Sequence, residues 1–161
     1  MSFLKKHGRY IGAFLAGILW GGGIVFIFGV IFLRYNLVVE EKVPGTFDEV
    51  SSRLESAIQK NKSWTFRKEI CALPILKDSS KLIVFKLCNR NYAEQMLNPP
   101  ESRKVAAVIP CSFAVYEKNG SVFISRMNVR LLGNIMGGIP GEVFTSRIAP
   151  EQKLMLDAAR K

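Results

Sequence analysis

Histidine is almost absent from this chain of 161 residues, since the sequence holds only His7, which lies ahead of a long apolar run. Histidine is the usual general base near neutral pH and a common zinc ligand. The residues after the run therefore contain no Ser-His-Asp arrangement and no His-based zinc site. No two carboxylates form a convincing acid–base pair, and no glycine-rich phosphate loop opens a helix. These absences favour a non-enzymatic function.

Cysteine is also scarce, with Cys71, Cys88 and Cys111 as the three thiols. No Cys-x-x-Cys motif is present, nor the Cys-x-x-Cys-His motif that attaches haem. Cys88 is predicted to end one strand and Cys111 to begin the next, so antiparallel pairing would bring the two thiols close. Three interpretations stay open: two buried free thiols, a structural disulfide, or a redox-active or soft-metal-binding pair. We expect Cys71 to be structural, or at most a third soft ligand, and we expect no bound cofactor.

Charged residues are missing from Tyr10 to Leu33, a run of 24 positions. About 20 apolar residues cross a bilayer core as a helix. The run is too long for a cleaved signal peptide and ends without a small-x-small cleavage pattern. Residues 10–33 are therefore predicted to form a transmembrane signal anchor.

The orientation of this anchor is predicted from its flanking cations. Lys5, Lys6 and Arg9 precede the run, and only Arg34 follows it closely. The positive-inside rule then predicts a cytoplasmic N-terminus, residues 1–9, and an extracytoplasmic domain, residues 36–161. The expected location is the cytoplasmic (inner) membrane, with a single pass and a periplasmic C-terminal domain.

Small residues recur along the predicted span at intervals of four, notably Gly12, Ala13, Gly17 and Gly21. Small residues on one helix face let a second helix approach closely in lipid. One interpretation is a helix that packs on a membrane protein partner or on a second copy of this chain. The other is a plain anchor, because glycine is frequent in membrane helices.

Positive charge is in excess, with 23 Lys and Arg against 13 Asp and Glu. Outside the membrane segment the cations are scattered, with no run longer than two, and no nucleic-acid-binding motif accompanies them. A basic surface next to a bilayer suits contact with anionic head groups or acidic partners. A solvated basic surface with no specific partner is the favoured interpretation of the charge, and no nucleic-acid partner is expected.

The periodicity of residues 36–161 predicts an α+β domain with a mostly antiparallel sheet and packed helices. Thr46 and Glu49 predict a capping box that opens a helix. Strands are predicted over 36–43, 64–71 and 81–88, the last buried on both faces, and a short helix over 91–97 followed by a loop to Pro110. Asn119-Gly120 predicts a two-residue hairpin turn between two further strands. Helices are predicted over 129–139 and 151–159.

Two further surfaces are singled out as candidate contacts. An apolar face over the helix predicted after the hairpin could dock a partner or lipid, although covering the sheet is its commoner role; it consists of Leu132, Ile135, Met136 and Ile139. Arg126 and Asn128, at the end of the hairpin, are candidate contacts for an anion.

Three stretches carry a resemblance to a known family. They are Thr-Phe-Asp-Glu-Val at 46–50, Cys-Asn-Arg-Asn-Tyr-Ala at 88–93, and Ile-Pro-Cys-Ser-Phe-Ala-Val-Tyr-Glu at 109–117, continuing through Lys-Asn-Gly to Ser-Arg-Met-Asn at 125–128. Over about residues 37–160 the chain resembles the domain of unknown function 302 family. The resemblance implies an α+β domain related to the TATA-binding-protein-like architecture, often dimeric, and no established reaction. Many members carry Asn-Pro where this chain has Asn89-Arg90, so we expect a different loop shape there.

The sequence thus predicts a membrane-anchored, non-enzymatic accessory protein that binds a ligand or a partner through a small extracytoplasmic domain. The alternative is a thiol-redox or metal-handling protein that uses Cys88 and Cys111.

Overall fold

Helices and strands follow one another along the chain in an order close to the one that the apolar periodicity predicts. The computed structural model describes residues 2–70, 80–109 and 111–161. The elements are α1 (Ser2–Asn36), β1 (Val38–Val43), α2 (Phe47–Lys60), β2 (Trp64–Ile70), β3 (Leu82–Asn89), α3 (Arg90–Leu97), a 3₁₀ segment (Pro100–Val108), β4 (Cys111–Lys118), β5 (Ser121–Met127), α4 (Val129–Met136), α5 (Gly138–Val143), a π-helical segment (Phe144–Ile148) and α6 (Ala149–Ala159).

The chain divides into two units between Asn36 and Leu37. The first unit is the helix α1, whose large apolar side chains include exposed ones such as Trp20, Val25 and Phe26. A search of the described residues finds no helix that meets both the length and the hydropathy of a membrane span. The transmembrane anchor over 10–33 therefore stays a prediction.

The second unit is built on a five-stranded sheet in the order β1-β5-β4-β3-β2. Every neighbouring pair of strands is antiparallel, as the sequence predicts. Alternate strand residues face a layer of helices, because successive side chains of a strand point to opposite faces. The buried core formed there includes Val50 and Leu54 of α2, Phe85, Phe113, Val115 and Ile124 of the sheet, and Met155 and Leu156 of α6.

The start of α2 confirms the predicted capping box. The Thr46 hydroxyl accepts a hydrogen bond from the Glu49 amide at 3.3 Å, and the Glu49 carboxylate accepts one from the Thr46 amide at 2.8 Å. Each side chain thus satisfies a backbone donor that the first helical turn leaves free.

The β4–β5 hairpin also matches its prediction. Asn119 and Gly120 both have positive φ, at 51° and 69°, as a type I′ turn requires. The register pairs Val115 with Ile124 and Phe113 with Arg126. On the opposite face the rings of Tyr116 and Phe123 stack with centroids 6.0 Å apart.

The prediction that β3 is buried on both faces is wrong. Its residues alternate between buried and half-buried positions from Leu82 to Asn89. The reason is that the helices cover only one face of β3. The other face lies on the open side of the sheet, where Lys86 forms an ion pair with Glu69. The unbroken apolar run Leu82–Phe85 gave a misleading signal.

Two connections also differ from their predictions. Residues 100–108 form a 3₁₀ segment with buried Ser102 and Val105, not an open loop. The helix predicted over 129–139 is broken, with α4 ending at Met136 and α5 beginning at Gly138. Gly137 lies between them with φ of 63°, a left-handed conformation that ends a helix and that glycine adopts without strain.

Candidate functional site

A cavity of about 250 Å³ lies where β4 begins and β5 ends, on the end of the hairpin away from its turn. Its walls are mostly apolar and come from β1, the 3₁₀ segment, β4, β5, α4, the π-helical segment and α6. The apolar walls are Val38, Val108, Ala114, Met127, Val129, Leu132 and Phe144. An engineered apolar cavity of about 150 Å³ admits benzene, so this cavity has room for a small organic molecule.

Arg126 is the one charged side chain among the described residues that line the cavity. Strand register places it on the helix-covered face, opposite Phe113 of β4 and Val39 of β1. Its Nε is shielded from solvent and has no hydrogen-bond partner within residues 2–70, 80–109 and 111–161. Burial lowers the pKa of Arg126, while nearby Glu41 acts to raise it and Arg160 to lower it. A buried donor on a charged group is normally paired.

The carboxylate nearest to Arg126 is already engaged. Glu41 forms an ion pair with Arg160, which also binds Asp157 at 2.7 Å. The hydrogen bond to Glu41 raises the pKa of Arg160. Arg126 forms no hydrogen bond or ion pair with any residue in the described ranges, so Glu41 acts on it only through space and its guanidinium keeps donors that a ligand can use.

Gln152 of α6 is the second unpaired polar side chain at the cavity wall. The residue is 1 % exposed, and its Oε1 has no hydrogen-bond partner among the described residues. Leaving such an amide oxygen unpaired costs about 1–3 kcal/mol. The cavity is therefore lined by apolar side chains and by two residues with an unpaired polar atom, the donor Arg126 Nε and the acceptor Gln152 Oε1.

Asn128, predicted beside Arg126 as an anion contact, has a structural task. Its side chain accepts a hydrogen bond from the Leu131 amide at 3.1 Å and so caps α4. The backbone amide of Asn128 donates a hydrogen bond to the Leu37 carbonyl at 2.8 Å. Of the two predicted anion contacts, only Arg126 lines the cavity.

The predicted docking residues divide into two groups. Leu132 and Met136 are partly buried against the core, and Leu132 also lines the cavity. Ile135 and Ile139 are 59 % and 46 % exposed. The four residues thus do not form one exposed face, although Ile135 and Ile139 remain available to a partner.

The four helix-packing residues lie in α1. A Cβ placed on Gly17 or Gly21 would meet no described atom within 4 Å. The surroundings of Gly12 and Ala13 lie outside what the structure describes.

Cys88 and Cys111 are free thiols on neighbouring strands. Leu87, not Cys88, pairs with Cys111, so strand alternation directs Cys88 to the opposite face of the sheet. This register is unfavourable for a direct disulfide. Burial, followed by the effect of Cys88, raises the pKa of the Cys111 thiol to about 12. Cys71 lies outside the described residues, and in those residues no three His, Cys, Asp or Glu side chains cluster as a metal site.

Cys111 should be almost inert towards alkylation in the folded protein. With a pKa near 12, its thiolate fraction at pH 8 is about a thousandth of that of an ordinary cysteine. We expect iodoacetamide to modify Cys111 at least about 100-fold more slowly in the native chain than in the urea-unfolded chain, measured by peptide mass spectrometry. Equal rates in the two states would show an accessible, activated thiol and would favour the redox alternative.

A second polar cluster centres on Glu151 at the start of α6. Its carboxylate accepts hydrogen bonds from Trp64 Nε1, from the Tyr92 hydroxyl at 2.5 Å and from Asn61 Nδ2 at 3.1 Å. The bond to Glu151 is the main cause of the raised pKa of Tyr92, and burial adds to it. Because all three donors are satisfied within the fold, this cluster joins elements together and offers no free ligand-binding group.

Sequence reasoning missed Gln152 and Glu151. A signal for Gln152 was present, since it interrupts the buried face of the last helix that Ile148, Met155 and Leu156 define. Glu151 carries no such signal, because an acidic residue in a first helical turn is common for its effect on the helix dipole.

The fold and sequence place the chain among known proteins. A crystal structure described as an uncharacterized conserved protein DUF302 from Bacillus stearothermophilus superposes with a TM-score of 0.64, at 21% sequence identity, over 77% of this chain and 98% of that chain. This likeness concerns the fold. No curated protein matches the chain. Residues 39–156 match the model of the family described as domain of unknown function DUF302, so the chain belongs to that family.

Proposed function

We propose that this protein is a non-enzymatic binding protein, held at a membrane, whose α+β domain receives a small ligand in the Arg126–Gln152 cavity. The observation that carries the proposal is the pair of shielded, unpaired polar atoms, Arg126 Nε and Gln152 Oε1, at one apolar cavity. Ligand pockets typically combine apolar walls with a few polar groups that orient the ligand. The remaining side chains at the cavity wall include no acid–base pair.

Attachment to a membrane is the second part of the proposal. Its support is the uncharged run from Tyr10 to Leu33 and the cations that precede it. We infer a periplasmic domain and a helix that packs on a membrane protein or on a second copy through Gly17 and Gly21. In this proposal the helix-backed antiparallel sheet is related to the TATA-binding-protein-like architecture.

Membrane attachment is tested by fractionation. The full chain should stay with the bilayer after alkaline carbonate washing, and deletion of residues 2–36 should release the domain. Release of the full chain by carbonate would refute an integral anchor.

The binding site is tested by calorimetry with hexan-1-ol on the full chain in lipid nanodiscs. Leu132 lines the cavity, whereas Ile135 lies on the same helix and is exposed. We expect saturable binding to the wild type and to Ile135→Trp, and at least 10-fold weaker binding to Leu132→Trp, because the indole fills the cavity. The heat that remains with nanodisc-bound Leu132→Trp gives the background from partition of the alcohol into the lipid. Equal heats for all three proteins would refute the cavity as the site.

A further inference from the structure

We propose that the ligand of this cavity is a small organic anion, a carboxylate on a short apolar body, whose charged group binds Arg126. This inference rests on the proposed function and adds the chemical class of the ligand. It follows from the charge, the hydrogen-bonding capacity and the size of the cavity.

The charged neighbours of Arg126 favour an anionic ligand. Arg160 shares the cationic surroundings, and its ion pair with Glu41 leaves Arg126 without a hydrogen-bonded carboxylate among the described residues. A guanidinium whose Nε is shielded from water and has no hydrogen-bond acceptor among the described residues raises the energy of the folded state. A bound carboxylate removes this penalty and gains charge-assisted hydrogen bonds. A neutral ligand leaves the charge uncompensated.

Gln152 adds hydrogen-bonding capacity at the cavity wall. Its amide lies at the same cavity and is nine-tenths or more buried. An amide offers an acceptor and a donor on one planar group, so Gln152 contacts a second polar atom of the head group. Ser112 and Ser125 also line the cavity, but strand alternation places them on the sheet face opposite Arg126, so the head group is assigned to Arg126 and Gln152.

The volume of the cavity suits a short apolar body. The cavity of about 250 Å³ corresponds to roughly eight water molecules at their share of liquid volume, about 30 Å³ each. Hexanoate, with about eight non-hydrogen atoms, matches this volume, whereas most of a long-chain fatty acid from the bilayer would extend out of the open side of the cavity. The short acid is therefore the assigned class, and a membrane fatty acid is the alternative that the test separates.

The test compares hexanoate with hexan-1-ol on the full chain in nanodiscs at pH 7.5, where the acid is ionised. We expect hexanoate to bind about 10- to 100-fold more tightly than the alcohol, the range that a charge-assisted hydrogen bond supplies. Arg126→Met should abolish this preference and leave alcohol binding within about threefold. Arg126→Lys should retain part of it, and Arg130→Met, at an exposed arginine of α4 outside the cavity, should leave it unchanged.

The outcomes separate the inference from the proposed function. Equal affinity of the wild type for acid and alcohol overturns the anion assignment and leaves the cavity as a binding site. Binding of neither compound to the wild type overturns both. If the wild type binds hexadecanoate but not hexanoate, the assignment of a short acid is overturned and the ligand is a lipid-derived acid. The wild-type comparison decides the assignment even if Arg126→Met does not fold.

Discussion

Replacing Glu151 with alanine should lower the free energy of unfolding by about 3 kcal/mol. The substitution leaves Trp64 Nε1, the Tyr92 hydroxyl and Asn61 Nδ2 without their shared acceptor. An unsatisfied buried donor costs about 1–3 kcal/mol, and Trp64 is only 6 % exposed. The half-buried Tyr92 can turn towards solvent, so the three losses do not add fully. Urea unfolding of the full chain, followed by pulse proteolysis, measures the change.

Glu142→Ala is the matched control for this effect. Glu142 is exposed on α5, and its side chain forms no hydrogen bond with the described part of the chain, so its loss should change stability by less than about 0.5 kcal/mol. Glu151→Gln keeps one carbonyl acceptor and should fall between Glu151→Ala and the wild type. A loss below about 1 kcal/mol for Glu151→Ala would show that the cluster does not join α6 to β2, α2 and α3.

Replacing Gly133 with valine should destabilise the domain by about 3 kcal/mol or more. A Cβ at Gly133 would lie 2.9 Å from the Gly141 carbonyl oxygen and 2.9 Å from the Phe144 Cβ. Overpacking of this kind costs about 1–3 kcal/mol, and the branched side chain adds further atoms to the contact. At an exposed helical site, replacing glycine with alanine would instead gain up to about 1 kcal/mol. The close approach of α4 to α5 therefore makes the substitution at Gly133 destabilising rather than stabilising.

Asn134→Val is the control, because it introduces the same side chain, valine, at the next position of α4. Asn134 is exposed, so only the modest helix propensity difference is expected, within about 0.5 kcal/mol. Gly141→Ala should also destabilise, because its Cβ would lie 2.7 Å from the Gly133 carbonyl oxygen. Thermal unfolding of the three variants gives the comparison. A stabilised Gly133→Val or Gly141→Ala protein would contradict the backbone contact between α4 and α5.

Local signals made part of this fold predictable from sequence. The Thr46–Glu49 capping box and the Asn119-Gly120 turn depend on residues within four positions of one another, and both occur as predicted. The burial of β3 depends on which sheet face the helices cover, and an apolar run does not reveal this. The break at Gly137 was equally hidden, because the apolar spacing of 129–139 continues across it.

The candidate site was predictable only in part. Arg126 was predicted as an anion contact from its position at the hairpin end, but its lack of a partner depends on Glu41 binding Arg160, which is 119 positions away in sequence. Gln152 reaches the cavity because α6 packs over the sheet. Long-range pairing of this kind has no short-range sequence signature.

The most direct measurement of ligand binding in the cavity is ¹³C-methyl-methionine NMR of the full chain in nanodiscs, titrated with hexanoate. Met127 lines the cavity, whereas Met96 is buried elsewhere in the core, and Met127→Leu assigns the signal. We expect a saturable shift of the Met127 methyl resonance, no shift at Met96, and loss of the Met127 shift in Leu132→Trp. An unmoved Met127 resonance at saturating hexanoate and at saturating hexan-1-ol would contradict the proposal that this cavity binds a ligand.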